Sequence, residues 1–176
     1  MVYMTARLKN GQGARLDWVT EGDLPEVVEA LNSVIREEKY LFMNDEITDM
    51  EEERRWFDRG KKEGMLYLIA RVEGRVVGGA SIHPRRGKNS HVADFGVFIC
   101  DGYRNLGLGT KLTKTFIEIA RERGIEILQL SVYATNKRAL YVYRKCGYQE
   151  CGRFTRDIKF SDGTYTDRIL MERHLK

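Results

Sequence analysis

The chain has 176 residues, of which 42% are apolar and 32% charged, with a formal net charge of +4 at pH 7. That length and balance describe a single globular domain able to bury a core, and exclude a disordered or low-complexity chain. The longest apolar run falls short of the roughly 18–20 residues of a membrane span, and no signal-peptide core opens the chain. Cys100, Cys146 and Cys151 stand at no metal-like spacing, which fits a reduced, cytoplasmic setting with no metal.

Residues 1–13 read as a polar start that is free to be flexible within a single domain spanning 1–176. Arg15 to Thr20 reads as a short strand. Asp23 stands where an N-cap belongs, with Pro25 in the first turn and Glu26 at the third helical position. Leu24, Val27, Val28, Leu31, Val34 and Ile35 then form one helical stripe. Tyr40 to Thr48 is irregular, and a second helix runs from about Asp49 to Glu63 with Trp56 and Phe57 on it. Strands follow over Met65–Val72, Arg75–Ile82 and His91–Ile99. The loop before the last of these holds Arg85, Arg86 and Lys88, a basic cluster without interleaved aromatics that reads as solvated, not as a nucleic-acid face. A helix with Leu112, Phe116, Ile119 and Ala120 on one face ends at Gly124 in the C-cap manner. A strand over Ile127–Tyr133, a helix over Asn136–Cys146, and a hairpin of Gln149–Phe160 and Thr164–Arg173 around Ser161-Asp162-Gly163 complete the chain. The order is mixed α/β (α+β), neither alternating βαβ nor all-β.

The segment joining strand Phe95–Ile99 to the following helix carries Arg104, Asn105, Leu106, Gly107, Leu108, Gly109 and Thr110. A glycine-rich turn at a helix N-terminus binds anions, because unpaired N–H groups and the positive end of the helix dipole converge there. The dinucleotide fingerprint fails, since Leu112 stands where its third glycine belongs. The mononucleotide loop fails too: Leu108, not Lys, follows Gly107. What remains is Arg104-x-x-Gly107-x-Gly109, which resembles the acyl-coenzyme A pyrophosphate loop (Q/R-x-x-G-x-G/A) of the GNAT N-acetyltransferases. A second segment downstream is similar to that family's N-x-x-A-x-x-x-Y-x-K-x-G-F/Y pattern at Asn136, Ala139, Tyr143, Lys145, Gly147 and Tyr148.

The resemblance implies a GNAT fold: a mostly antiparallel twisted sheet of about seven strands flanked by four helices, with a splayed strand pair forming the acetyl-CoA cleft. It implies acetyl-CoA as co-substrate, Tyr143 as the general acid at the departing sulfur, and Asn136 on the pantetheine arm. Val97, Phe98 and Ile99 become the strand that pairs with the coenzyme; Arg104 and the amides of Asn105 to Thr110 meet its phosphates. Asp94, in an Ala93-Asp94-Phe95-Gly96 run resembling the family's A-E-x-G, is the candidate general base with a shorter side chain than the usual Glu. Asn136 and Tyr143 lie seven apart and share a helical face, which Tyr141 does not. Bland alternatives stand beside these roles: Asn136 as a helix N-cap, Tyr143 as a core-edge aromatic, Asp94 as an exposed strand carboxylate. Cys100 precedes the loop without a histidine at a motif position to activate it, and His83, His91 and His174 read as isolated.

The expected reaction is direct acetyl transfer in a ternary complex to a primary amine of a small molecule, amino acid or polyamine-like. Protein N-termini or lysines are the rival acceptors, and a non-catalytic coenzyme A sensor is the rival function. Among relatives a homodimer is common; neither nucleic acid nor membrane is an expected partner.

Overall fold

The computed structural model describes residues 2–43 and 45–176; Met1 and Asn44, the first of them part of the expected flexible start, lie outside the described residues. Short turns between apolar runs fold the chain largely into hairpins. The elements are β1 (Val2–Arg7), β2 (Gly13–Trp18), α1 (Leu24–Ile35), α2 (Met50–Lys62), β3 (Leu66–Val72), β4 (Arg75–Pro84) and β5 (Val92–Ile99), then α3 (Leu108–Glu122), β6 (Ile127–Tyr133), α4 (Lys137–Lys145), β7 (Gln149–Lys159) and β8 (Tyr165–His174). The strands make one sheet in the order β1-β2-β3-β4-β5-β6-β8-β7. Its neighbours are antiparallel apart from β5 and β6.

The mixed architecture, the mostly antiparallel sheet and the four helices agree with expectation. The sheet has one strand more, because Val2–Arg7 pairs with β2 where the sequence suggested a flexible start. Its burial is slight, so no apolar alternation marks it; the register comes from the Leu8–Gln12 turn, with Gly11 at φ 86°. Asp23 is the N-cap residue of α1 as expected, but its side chain makes no cap bond there: its carboxylate accepts from the Thr20 N–H and hydroxyl at 2.8 and 2.6 Å, closing a 3-10 turn ahead of α1. Asp49 does cap α2, accepting from the Glu51 and Glu52 amides at 2.8 and 3.0 Å.

Alternation along β5 divides its side chains between two cores. Ala93 and Phe95 pack with Leu112 and Phe116 of α3 and with Leu140 and Tyr143 of α4. Phe98 packs with Val27, Ala30 and Val34 of α1. The α3/α4 layer and the α1 layer therefore cover opposite faces of the sheet.

Between β5 and β6 the ladder covers Val92–Ile127, Ala93–Leu128 and Asp94–Gln129. Beyond it β5 stays paired with β4 as far as Ile99, and β6 with β8 as far as Tyr133. The two strands separate into a wedge-shaped gap, closed at Asp94 and open toward Ile99 and Tyr133.

Candidate active site at the splayed strands

One arm of the gap carries free main-chain groups, and the register identifies them. Cys100 N–H donates to Val77 O, and Arg85 N–H to Val92 O, each at 2.9 Å. Antiparallel alternation then directs the amides of Asp94, Gly96 and Phe98 toward β4, and those of Phe95, Val97 and Ile99 into the gap. Val97 and Ile99 thus sit as expected for a strand that pairs with a ligand, whereas the Phe98 amide faces β4 and its ring lies under α1.

Beyond β5 the chain enters the glycine loop. Gly107 is the N-cap residue of α3 at φ 90°, a left-handed conformation that glycine adopts without strain, and it supplies no capping side chain. The first intrahelical bond runs from Lys111 N–H to Gly107 O at 3.0 Å. The amides of Leu108, Gly109 and Thr110 consequently have no partner in the helix, and the dipole adds positive potential at the same place. Asn105 also takes a left-handed turn, at φ 65°. These residues fit a diphosphate.

The Arg104 side chain points elsewhere. Its Nε donates to Ile99 O at 2.9 Å, Nη1 to Glu37 at 2.7 Å, and Nη2 to the other Glu37 oxygen. Its guanidinium carbon stands 4.3 Å from the Tyr40 ring centre. A cation near the helix N-terminus is Lys9, from the β1–β2 turn: a Cβ placed on Gly107 would lie 3.9 Å from its Cε and Cγ. The Lys9 amide donates to Leu106 O at 3.1 Å, fixing that turn to the loop.

On the same face, α4 packs Tyr143 against Phe95 and Tyr148, with ring centres 6.5 and 5.8 Å away. Tyr143 is 7% exposed and Tyr141 65%, so the inward tyrosine is the one the motif selects. Burial pushes the Tyr143 phenol above its ordinary value. Asn136 is the α4 N-cap, its Oδ1 accepting from the Ala139 N–H at 3.1 Å, so its amide nitrogen is left to donate. Gly147, at φ 83°, ends α4 with Tyr148 N–H bonding back to Tyr143 O at 3.0 Å, which fixes the relation of the two rings.

Asp94 projects from the opposite face of β5. Its side chain is 52% exposed, and both oxygens bind Arg85, at 2.9 and 2.5 Å. Arg86 pairs with Glu63 at 3.1 Å, so two charges of the basic cluster serve local ion pairs. Across the β4–β5 ladder, His83 lies directly opposite Asp94. His83 Nε2 is 3.0 Å from the Ser81 hydroxyl, and its ring centre is 5.8 Å from that of Trp56. Burial lowers the His83 pKa, against the pull of Asp94 and Glu63. Cys100 is tucked against Ala30 O and Ser33, its thiol pKa raised by burial, which is inert chemistry.

The open end of the gap meets a cavity of about 200 Å³ between the α1–α2 segment and the β7–β8 turn, with Glu38, Leu41, Tyr133, Lys159 and Phe160 in its wall. Tyr133 bonds Leu41 O, and Phe42 and Phe160 pack edge-on to its ring at 4.6 and 5.7 Å. Glu37, Lys9 and Tyr133 were not singled out in sequence, and His83 was read as isolated; they reach the site through strand register and loop packing, which no local motif encodes.

A family model described as the acetyltransferase (GNAT) family matches residues 29–148. The chain belongs to that family. It is an acetyl-CoA-dependent N-acetyltransferase, with acetyl-CoA as co-substrate. An L-amino acid N-acetyltransferase of Escherichia coli (strain K12) is 31% identical to this GNAT chain over 121 residues, 67% of this chain and 74% of that protein. The structure of a ribosomal-protein-alanine N-acetyltransferase from Brucella melitensis aligns at TM-score 0.82 and 27% identity, over 90% of this chain and 98% of that one. A GNAT superfamily phosphinothricin acetyltransferase from Sinorhizobium meliloti, solved with acetyl-CoA, shares the fold at TM-score 0.80 and 18% identity, over 92% and 88% of the two chains. Among the described residues of this acetyltransferase, no group of three or more His, Cys, Asp or Glu is placed to hold a metal, and no helix is long and apolar enough to cross a membrane.

Proposed function

We propose that this GNAT enzyme acetylates the primary amine of a small amino-acid-like acceptor, by direct transfer in a ternary complex. The observation carrying this reading is the gap between β5 and β6, which has anion-binding amides on one face and the acceptor-sized cavity at its mouth. At about 200 Å³ that cavity is smaller than the roughly 300–1,000 Å³ of drug-sized sites. Glu38 supplies a carboxylate for an ammonium group, Lys159 a cation for a carboxylate, and Leu41 and Phe160 an apolar wall. The amino acid activity named for the Escherichia coli relative points the same way.

In this mechanism the amides of Leu108 to Thr110 and the Lys9 ammonium receive the diphosphate, and the Asn136 amide nitrogen donates to the pantetheine arm. The Val97 N–H pairs with the arm near the thioester and donates to the oxyanion as it forms. The amine must lose a proton to attack the carbonyl carbon. Asp94 takes it, directly or through one water: Arg85 uses two of the roughly four lone-pair sites of the carboxylate, leaving others to accept. The C–N bond forms, the C–S bond breaks, and the sulfur leaves on the face where Tyr143 lies. A phenol, with a pKa of about 10 before burial, is a weaker acid than a thiol at about 8.5. Tyr143 therefore stabilises the departing thiolate chiefly by hydrogen bonding; of the two protons the ammonium loses, the first leaves through Asp94 to water, and the second, lost once the C–N bond has formed, balances the one the sulfur takes up.

Thiol release from acetyl-CoA, followed against free amino acids, polyamines and a peptide with N-terminal alanine, tests the proposal. Turnover on free amino acids alone supports it. Turnover confined to the peptide assigns a protein N-terminus as acceptor, and coenzyme binding without turnover on any of them turns the reading toward a sensor.

A further inference from the structure

We propose that Arg104 is a positioning residue that ties the cofactor loop to the segment between α1 and α2, so that coenzyme binding and the ordering of the acceptor cavity are one linked event. The inference rests on the assignment of the glycine loop to the coenzyme phosphates.

The Arg104 side chain is 11% exposed, and each of its three nitrogens has a protein acceptor. Asp101 stands 3.5 Å away, and Tyr40 covers the guanidinium face. Swinging this group onto an external phosphate would strand the Glu37 carboxylate, which is 25% exposed, without its cation and remove the donor of Ile99 O. Truncating one partner of such a pair leaves the other charge desolvated and unpaired, which is costly. The planar bidentate geometry also makes the contact directional in a way a lysine could not reproduce.

What Glu37 and Tyr40 belong to gives the contact its meaning. Glu38 and Leu41, their chain neighbours, are walls of the acceptor cavity. The same segment is held at its far end by Asn32, whose side chain accepts from Ile47 N–H at 2.8 Å and donates to Ile47 O at 2.9 Å. It is held in the middle by the Tyr133 hydroxyl on Leu41 O, and by Arg168 over the Phe42 ring at 4.7 Å. Arg104 is the anchor that comes from the cofactor loop itself. When a ligand orders that loop, Ile99 O and the Arg104 backbone are fixed, and the guanidinium presents Glu37 with a stationary partner. By linkage, an ordered acceptor segment tightens coenzyme binding by the same factor.

Hydrogen exchange and calorimetry with coenzyme A, on the full chain, test this. Coenzyme A is expected to slow amide exchange in residues 36–48 of the native protein. Glu37→Gln and Arg104→Gln should each abolish that slowing and weaken coenzyme A binding by the same factor, about fivefold, with the double variant no worse than either. Tyr40→Leu, which leaves no charge unpaired and guards against a folding defect, should lose part of the protection. A loss of affinity in Arg104→Gln alongside unchanged or tighter binding in Glu37→Gln would make Arg104 a phosphate ligand and overturn the proposal. So would unchanged or faster exchange at 36–48 when coenzyme A binds the native chain. Failure of the native chain to bind coenzyme A would instead remove the reading of the glycine loop, and the coupling with it.

Discussion

Replacing Tyr143 by Phe separates chemistry from packing at this site more cleanly than any other substitution. The ring contacts with Phe95 and Tyr148 survive the loss of the hydroxyl. Folding stability should therefore stay within about 0.5 kcal/mol of native. The rate should not. A hydrogen bond to a charged acceptor contributes about 1.5–3 kcal/mol, and each 1.36 kcal/mol is tenfold, so kcat should fall about 10- to 150-fold. Complete proton transfer is not part of that sum, because burial raises the phenol further above a thiol. The KM for acetyl-CoA should move less than about twofold, since the lost interaction forms as the sulfur departs. Thiol release at saturating acetyl-CoA measures kcat, and a thermal melt measures stability. Tyr148→Phe is the control: its hydroxyl is buried without a partner, the residue being 2% exposed. Removing that hydroxyl should leave kcat alone and raise the melting temperature by about 2–4 °C, the size expected from about 1 kcal/mol. A Tyr143→Phe rate within about threefold of native would refute the role of its hydroxyl. An equal loss in Tyr148→Phe would move that role to the neighbouring ring.

Other expectations follow from the same contacts. Lys9→Ala should weaken coenzyme A binding about three- to tenfold at low salt and less at high salt, since an exposed ammonium is screened; calorimetry at two ionic strengths reads this, and an unchanged affinity removes Lys9 from the site. Gly107→Ala should lower stability by about 1–2 kcal/mol, because alanine must hold φ near 90° while its methyl meets Lys9 only at ordinary contact distance; a chemical melt with no loss would show that the turn relaxes. Arg71 joins Asp23 at 2.7 Å and also bonds Glu26. Burial alone would raise both carboxyls, yet hydrogen bonds from Thr20 and Arg71 to Asp23, and from Arg71 and the Val76 amide to Glu26, hold them below their ordinary 3.8 and 4.5. The unfolded chain then takes up protons first, so this stabilisation is complete above those values and is lost as pH falls through the folded ones. Melting temperature should drop between about pH 5 and pH 3, and Arg71→Met should flatten that drop; an unchanged slope would place the acid sensitivity elsewhere.

The elements that build the site were legible because each has a local cause. Leu112, Phe116 and Ile119 set the buried face of α3, the Gly107 turn sets its start, and Ile127–Tyr133 falls on the expected residues. Helical phase set Tyr143 and Tyr141 on different faces, and the motif selected Tyr143. β1 was not legible, for Val2–Arg7 buries little and owes its pairing to a turn. The fate of Arg104 was hidden for a different reason: its partner Glu37 is 67 residues away, and a motif specifies a residue without saying which way its side chain turns. His83 beside Asp94 is a product of strand register, and an isolated histidine in sequence carries no trace of it.

Asp94 and Tyr143 on opposite faces of one strand have a consequence for inhibitor design. In the proposed mechanism the coenzyme and the amine approach this enzyme through separate doorways that meet in the gap between β5 and β6. A bisubstrate compound, with coenzyme A joined through sulfur and a short acyl bridge to the acceptor nitrogen, would have to be threaded through that gap and not laid in a groove. Its waist would have to match the wedge, which is narrowest beside the last paired residues, Asp94 and Gln129. Once in place it would lace the two arms together and leave slowly, its release waiting on one end being drawn back through the neck.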